Sequence, residues 1–130
     1  MKILLDTHVF LSEITDSPRL SQEQRGLFLD EDNELHLSVA SLWEMLIKAG
    51  LGKLPLPEPA TEYLVRQMEK NRIVLLPIRI AHLAEMQKLP LLHRDPFDRM
   101  LVAQAEEDRL VLLTADETLR AYGSMVRVSR

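Results

Sequence analysis

No cysteine occurs in this 130-residue chain. Disulfide frameworks, thiolate zinc sites and thiol nucleophiles are therefore excluded, and the absence fits a reducing compartment. Long apolar runs are missing too. The run from Ile3 to Leu5 is stopped by Asp6, too soon for a secretory signal. No stretch approaches the roughly 20 apolar residues of a membrane span, so a soluble, cytoplasmic protein without membrane attachment is expected. Nor is there an excess of positive charge: 16 Lys and Arg stand against 20 Asp and Glu, a formal net charge of −4. A protein that coats nucleic acid through bulk charge is disfavoured. An enzyme that gathers acids around a metal and keeps its cations at the rim is not. Internal repeats and low-complexity segments are absent. The one Pro-rich stretch, Leu54-Pro55-Leu56-Pro57-Glu58-Pro59, carries apolar side chains to pack and reads as a loop rather than a linker.

What is present suits one domain spanning residues 1–130, with 46% hydrophobic residues and enough length to bury roughly two-thirds of the unfolded surface. Strands are expected over residues 2–5, 35–38, 73–76, 110–113 and 125–128. Helices are expected over 7–14, 21–30, 42–49, 60–70, 80–88, 97–108 and 117–122. Short apolar strands alternating with helices argue for an α/β fold, a mostly parallel sheet covered on both faces. In such sheets ligands bind beyond the carboxyl ends of the strands.

Acids cluster at those places in the sequence. Asp6 follows the first strand, Glu44 lies near the start of the helix after the second, Asp95 and Asp98 open the helix before the fourth, and Asp116 follows that strand. Each also has a plain explanation at a helix start. Ser41 with Glu44, and Thr114 with Glu117, have the spacing of capping boxes. Asp95-Pro96-Phe97-Asp98 reads as cap, first helical proline and acidic third position. Asp6 or Thr7 would serve the first helix. Asp6 is the least explained by capping, because Thr7 can do that work. Were the four carboxylates Asp6, Glu44, Asp98 and Asp116 to converge, each pair about 5 Å apart would repel by roughly 3 kcal/mol at an effective dielectric near 20. They would take up protons or hold a cation, and a hard divalent ion prefers oxygen ligands.

The segments Leu4-Leu5-Asp6-Thr7-His8, Leu37-Ser38-Val39-Ala40-Ser41-Leu42-Trp43-Glu44, Leu51-Gly52-Lys53-Leu54, His93-Arg94-Asp95-Pro96-Phe97-Asp98-Arg99, Leu101-Val102-Ala103-Gln104-Ala105 and Leu113-Thr114-Ala115-Asp116 resemble, in this order, the PIN-domain toxins of bacterial type II toxin–antitoxin systems, the VapC-like ribonucleases. The resemblance implies a PIN-like α/β/α sandwich and an Mg²⁺-dependent endoribonuclease, with Mn²⁺ as the alternative ion, acting through a metal-activated water. It implies a cognate antitoxin as partner and a homodimer. Matched by position, Asp6, Glu44, Asp98 and Asp116 would be the metal-holding and catalytic acids. Asp95 and Ser41 are read as caps first and site contacts second.

Arg94, Arg99, Thr7 and Thr114 are candidates for contacts with RNA phosphate. Local pairing of the arginines and capping by the threonines are equally open. His8 and His93 are left out of catalysis, and Trp43 is read as core rather than as a base-stacking platform. Leu20, Leu27, Phe28, Leu29, Leu42 and Met45 are read as core in preference to antitoxin contacts. Two other readings stay open: an RNA-processing nuclease without antitoxin, and an inactive α/β interaction module whose acids only cap helices. A phosphatase or receiver-like domain ranks last, because no Asp-x-Asp-x-Thr stands at Asp6.

Overall fold

Five short strands make one sheet in the order β3-β2-β1-β4-β5, and every neighbouring pair is parallel. The computed structural model describes residues 1–129. The strands are β1 (Lys2–Leu5), β2 (Glu34–Ser38), β3 (Val74–Leu76), β4 (Val111–Thr114) and β5 (Val126–Val128). Helices α1 (Thr7–Ile14) and α2 (Gln22–Leu29) connect β1 to β2, and α3 (Val39–Gly50) and α4 (Ala60–Lys70) connect β2 to β3. Helices α5 (Ile80–Lys88) and α6 (Pro96–Asp108) carry the chain across to β4, and a 3₁₀ helix (Glu117–Tyr122) precedes β5. Parallel neighbours need such crossovers, so the sheet and its covering helices are one consequence of the alternating pattern.

Successive side chains of a strand point to opposite faces, and β1 shows what that builds. Ile3 and Leu5 join one core with Val9, Phe10, Leu37, Met45 and Leu64. Leu4 joins the other with Leu101, Val102, Leu112 and Leu119. A strand buried on both faces reads as an unbroken apolar run, which is why Ile3-Leu4-Leu5 shows no alternation. Each fully buried Leu contributes roughly 1.5–3 kcal/mol of transfer free energy. The result is the α/β/α sandwich expected from the sequence, with all five strands parallel.

Helix starts differ from expectation in two places that matter. Ser38, at the end of β2, caps α3 by accepting the Ala40 N–H at 3.0 Å, so the helix begins at Val39 rather than at residue 42. A last strand residue already has the extended backbone a cap needs. The expected Ser41–Glu44 capping box is therefore absent: Ser41 lies in the first turn, and Glu44 sits beyond it on the buried side. Thr114 likewise stays in β4, and Asp116 caps the 3₁₀ helix by accepting the Thr118 N–H at 2.9 Å. At α6 the expectation holds. Asp95 accepts the N–H groups of Phe97 (2.8 Å) and Asp98 (3.4 Å), with Pro96 at the first position.

Strand order then selects a place on the sheet. From β1 the chain moves outward through β2 to β3, then returns to lay β4 on the other side of β1. The carboxyl ends of β1 and β4 therefore flank the switch point, where doubly wound sheets open a crevice.

Candidate metal centre

Asp6 occupies that crevice. Its N–H donates to Leu113 O at 2.9 Å, carrying the β1–β4 pairing one residue past the strand. It holds the cap position of α1, yet its carboxylate makes no capping hydrogen bond. Instead Oδ2 accepts the Thr114 hydroxyl at 2.5 Å, and Oδ1 is buried without a partner. Asp6 is 3% exposed. Burial pushes its carboxyl above the ordinary range, the Thr114 hydrogen bond and His8 pull it down, and the charge of Glu44 pushes it up.

The other acids arrive from three more elements. Glu44 comes from α3, buried, with Oε2 accepting Lys48 Nζ at 2.9 Å. Asp98 comes from the first turn of α6, and its carboxyl is pushed up to about 7 by burial first and then by Asp6, Asp95, Glu44 and Asp116. Asp116 follows β4 and is more open. Its Oδ1 accepts the Thr118 hydroxyl at 2.6 Å, which with the Thr118 N–H and His93 holds the carboxyl below the ordinary range, against some desolvation. The structure thus brings Asp6, Glu44, Asp98 and Asp116 to one edge of the sheet, from four elements. Asp95 is adjacent, but an oxygen of its carboxylate is committed to the α6 cap.

Thr114 bridges two of these acids. Its hydroxyl donates to Asp6 and accepts the Asp116 N–H at 3.0 Å. Thr7, fully buried, donates to Ser41 Oγ at 2.8 Å and ties α1 to α3 beneath the site. Both threonines and Ser41 position the acids' elements. Arg99 points elsewhere: its guanidinium donates to Met86 O (3.2 Å) and Leu89 O (3.4 Å), holding α6 to the end of α5. Arg94 is exposed and has no hydrogen-bond or ion-pair partner among the described residues.

Two aromatic residues stand where the sequence did not put them. His93, left out at the sequence level, places Nε2 at 3.5 Å from Asp116 Oδ2 and 3.7 Å from Asp98 Oδ2. Its Nδ1 accepts the Asp95 N–H at 3.2 Å. Only the segment between α5 and α6, folding His93 back over the acids, reveals this, and nothing in its spacing signals it. Trp43, expected in the core, is 59% exposed. Neighbouring helix residues point about 100° apart, so with Glu44 turned to the buried side of α3, Trp43 faces out. Of the six residues weighed as core or docking contacts, Leu20, Phe28 and Met45 are buried, Leu27 and Leu42 pack against the same core, and Leu29 is exposed.

The donor set fits a hard divalent cation. Asp6 Oδ1 is a buried carboxylate oxygen without a partner. Among the described residues no Lys or Arg pairs with Asp6 or Asp98. One oxygen each from Asp98 and Asp116 and a ring nitrogen of His93 lie within 4.8 Å of one another. Carboxylates so placed relieve their repulsion by binding protons or a cation. A cleft of about 590 Å³ leads away from Asp6 and Asp116 between α1 and the Leu54–Pro55–Leu56 loop, walled by Val9, Leu11 and Leu56.

Comparison with known proteins supplies the lineage. A stretch of 71 residues, 52% of this chain, is 39% identical to Ribonuclease VapC16 of Mycobacterium tuberculosis and covers 50% of it, so the match spans about half of that curated relative. Among solved structures, VapBC2 from Rickettsia felis bound to a DNA fragment superposes with a TM-score of 0.73 at 15% identity, over 99% of this chain and 98% of that one. FitAcB from Neisseria gonorrhoeae gives 0.62 at 23% identity, over 95% of each chain. At these identities the structural likeness speaks to the fold. A family model for the PIN domain matches residues 3–124, which is nearly the whole chain, and with the five-stranded parallel sheet already described it shows that this protein belongs to the PIN domain family.

Proposed function

We propose that this chain is a divalent-metal-dependent endoribonuclease, with Asp6, Glu44, Asp98 and Asp116 holding Mg²⁺ or Mn²⁺, and that it acts as a toxin restrained by a cognate antitoxin. The observation that carries the reading is Asp6: a buried carboxylate at the switch point, with one oxygen fixed by Thr114 and the other unpartnered. When bound, the cation supplies a water acidic enough to attack at neutral pH and neutralises charge growing on the phosphate.

The chain's own residues do the positioning. Thr114 sets the Asp6 carboxylate and the Asp116 backbone together, and Lys48 holds Glu44. Arg94, exposed and without a partner among the described residues, is free to take an RNA phosphate, whereas Arg99 is spent on α5. The antitoxin reading rests on the ribonuclease and toxin–antitoxin relatives and on the apolar cleft beside the acids. A homodimer is supported by Val74 and Leu75 on edge strand β3 and by Ile80 and Leu83 on α5, all exposed. The toxin reading places the protein in the cytoplasm, with its RNA substrate, and no helix among the described residues is long and apolar enough to cross a membrane.

The test is cleavage of RNA by the purified chain with Mg²⁺ or Mn²⁺, with sequencing of the ends. Wild type should leave 5′-phosphate and 3′-hydroxyl termini. Asp6→Asn should lose at least about a hundredfold in rate while melting as a folded protein. An Asp6→Asn protein that cleaves like wild type would sink the assignment.

A further inference from the structure

Trp43 is the chain's single tryptophan. It stands on α3 next to buried Glu44 and meets Phe97 of α6 in a T-shaped contact, with ring centroids 5.4 Å apart and planes at 79°. Phe97 in turn adjoins Asp98. The aromatic pair therefore sits on the rim of the acidic cluster, each ring one residue from an acid. On the Phe97 side of the pair lies an open hollow whose wall carries the acids Glu44 and Asp95 as well as Lys48 and Arg94.

Single exposed apolar residues are ordinary. The neighbours set this one apart. The edge contact steadies the indole while leaving aromatic surface uncovered, and an unpaired guanidinium stands on the same rim of an acidic protein. A π-face beside an open cation is the combination that takes an unstacked base with its phosphate. We propose that Trp43, steadied by Phe97, stacks on an unpaired base of an RNA strand whose phosphate is gripped by Arg94, next to the phosphate to be cut. The inference rests on the nuclease reading and adds a subsite to it: one unpaired base stacked on the indole, a contact that a base already stacked within a duplex does not offer. Ile47 and Leu51, also partly exposed on α3, make a second copy of the chain the rival occupant.

The cleavage-impaired Asp6→Asn chain allows binding to be read apart from cutting. It is titrated with single-stranded hexa-adenylate and, separately, with an abasic ribose-phosphate hexamer of equal charge, while indole emission is followed. With one tryptophan, emission reports this site alone. Hexa-adenylate should quench it saturably and the abasic strand should not. In the same background Trp43→Ala should weaken hexa-adenylate binding about tenfold, and Trp43→Phe should recover most of the loss. Melting curves matching the parent show that both variants fold. In the cleaving chain, Trp43→Ala should raise KM more than it lowers kcat.

Unchanged emission, equal quenching by both strands, or undiminished binding by Trp43→Ala would each overturn the proposal. So would a dimer by light scattering whose indole is shielded from acrylamide, which assigns the face to a second copy. Failure of the nuclease reading is distinguishable: wild type would then leave RNA intact with either metal, whatever the emission does.

Discussion

Burial and the charges of Asp6, Asp95, Glu44 and Asp116 push the Asp98 carboxyl from 3.8 up to about 7. Between those values the folded chain keeps a proton that the unfolded chain has released. Stability without metal is therefore fully present below the unfolded value and is lost as pH rises through about 7. The raised carboxyl of Asp6 works in the same direction. Asp116, held low, works in the opposite one, adding stability above the ordinary carboxyl range that is lost in acid, but it is more exposed and weighs less. The metal-free protein should lose about 5 °C of melting temperature between pH 5 and pH 8. Asp98→Asn should flatten that slope and melt higher than wild type at pH 8, as expected when a site is kept for function at a cost in stability. An Asp98→Asn protein that melts lower than wild type at pH 8 without metal would contradict the account. At this scale the sequence was a partial guide. It pointed to the four acids, but it could not show that Asp6 and Glu44 escape capping, nor that His93 folds onto Asp98 and Asp116.

The start of α6 separates two aspartates three residues apart. Asp95 caps the helix and Asp98 projects into the acidic cluster. Removing the cap with Asp95→Ala should cost about 1 kcal/mol in urea denaturation. Asp95→Asn, which keeps an oxygen for the cap, should fall within a few tenths of wild type. Both should bind metal, whereas Asp98→Asn should not bind it well. Loss of metal affinity in Asp95→Asn equal to that in Asp98→Asn would make Asp95 a ligand instead.

This helix was legible because its cap, proline and acid follow one another in the sequence. The start of α3 was not, because Ser38 and Ser41 are both competent caps and local chemistry does not choose between them. The choice falls to Ser38 through its place at the end of β2, where pairing with Leu76 of β3 already fixes an extended backbone.

Over the whole molecule, periodicity and element order were enough for a parallel sheet between two helical layers. The order of the strands was not written locally. It comes from which apolar faces pair, and only the observed order puts the ends of β1 and β4 side by side. Sequence reasoning supplied acids after strands, and the topology supplies the crevice that unites them. The central claim is that this crevice holds a divalent cation through Asp6 and its neighbours. Calorimetric titration of Mn²⁺ into the chain at pH 7.5 tests it most directly. Wild type should bind with a saturable isotherm, release protons from Asp98 and gain thermal stability, and Asp6→Asn, folded by its melting curve, should bind at least tenfold more weakly. Equal binding by the two proteins, or no binding by wild type, would contradict the account.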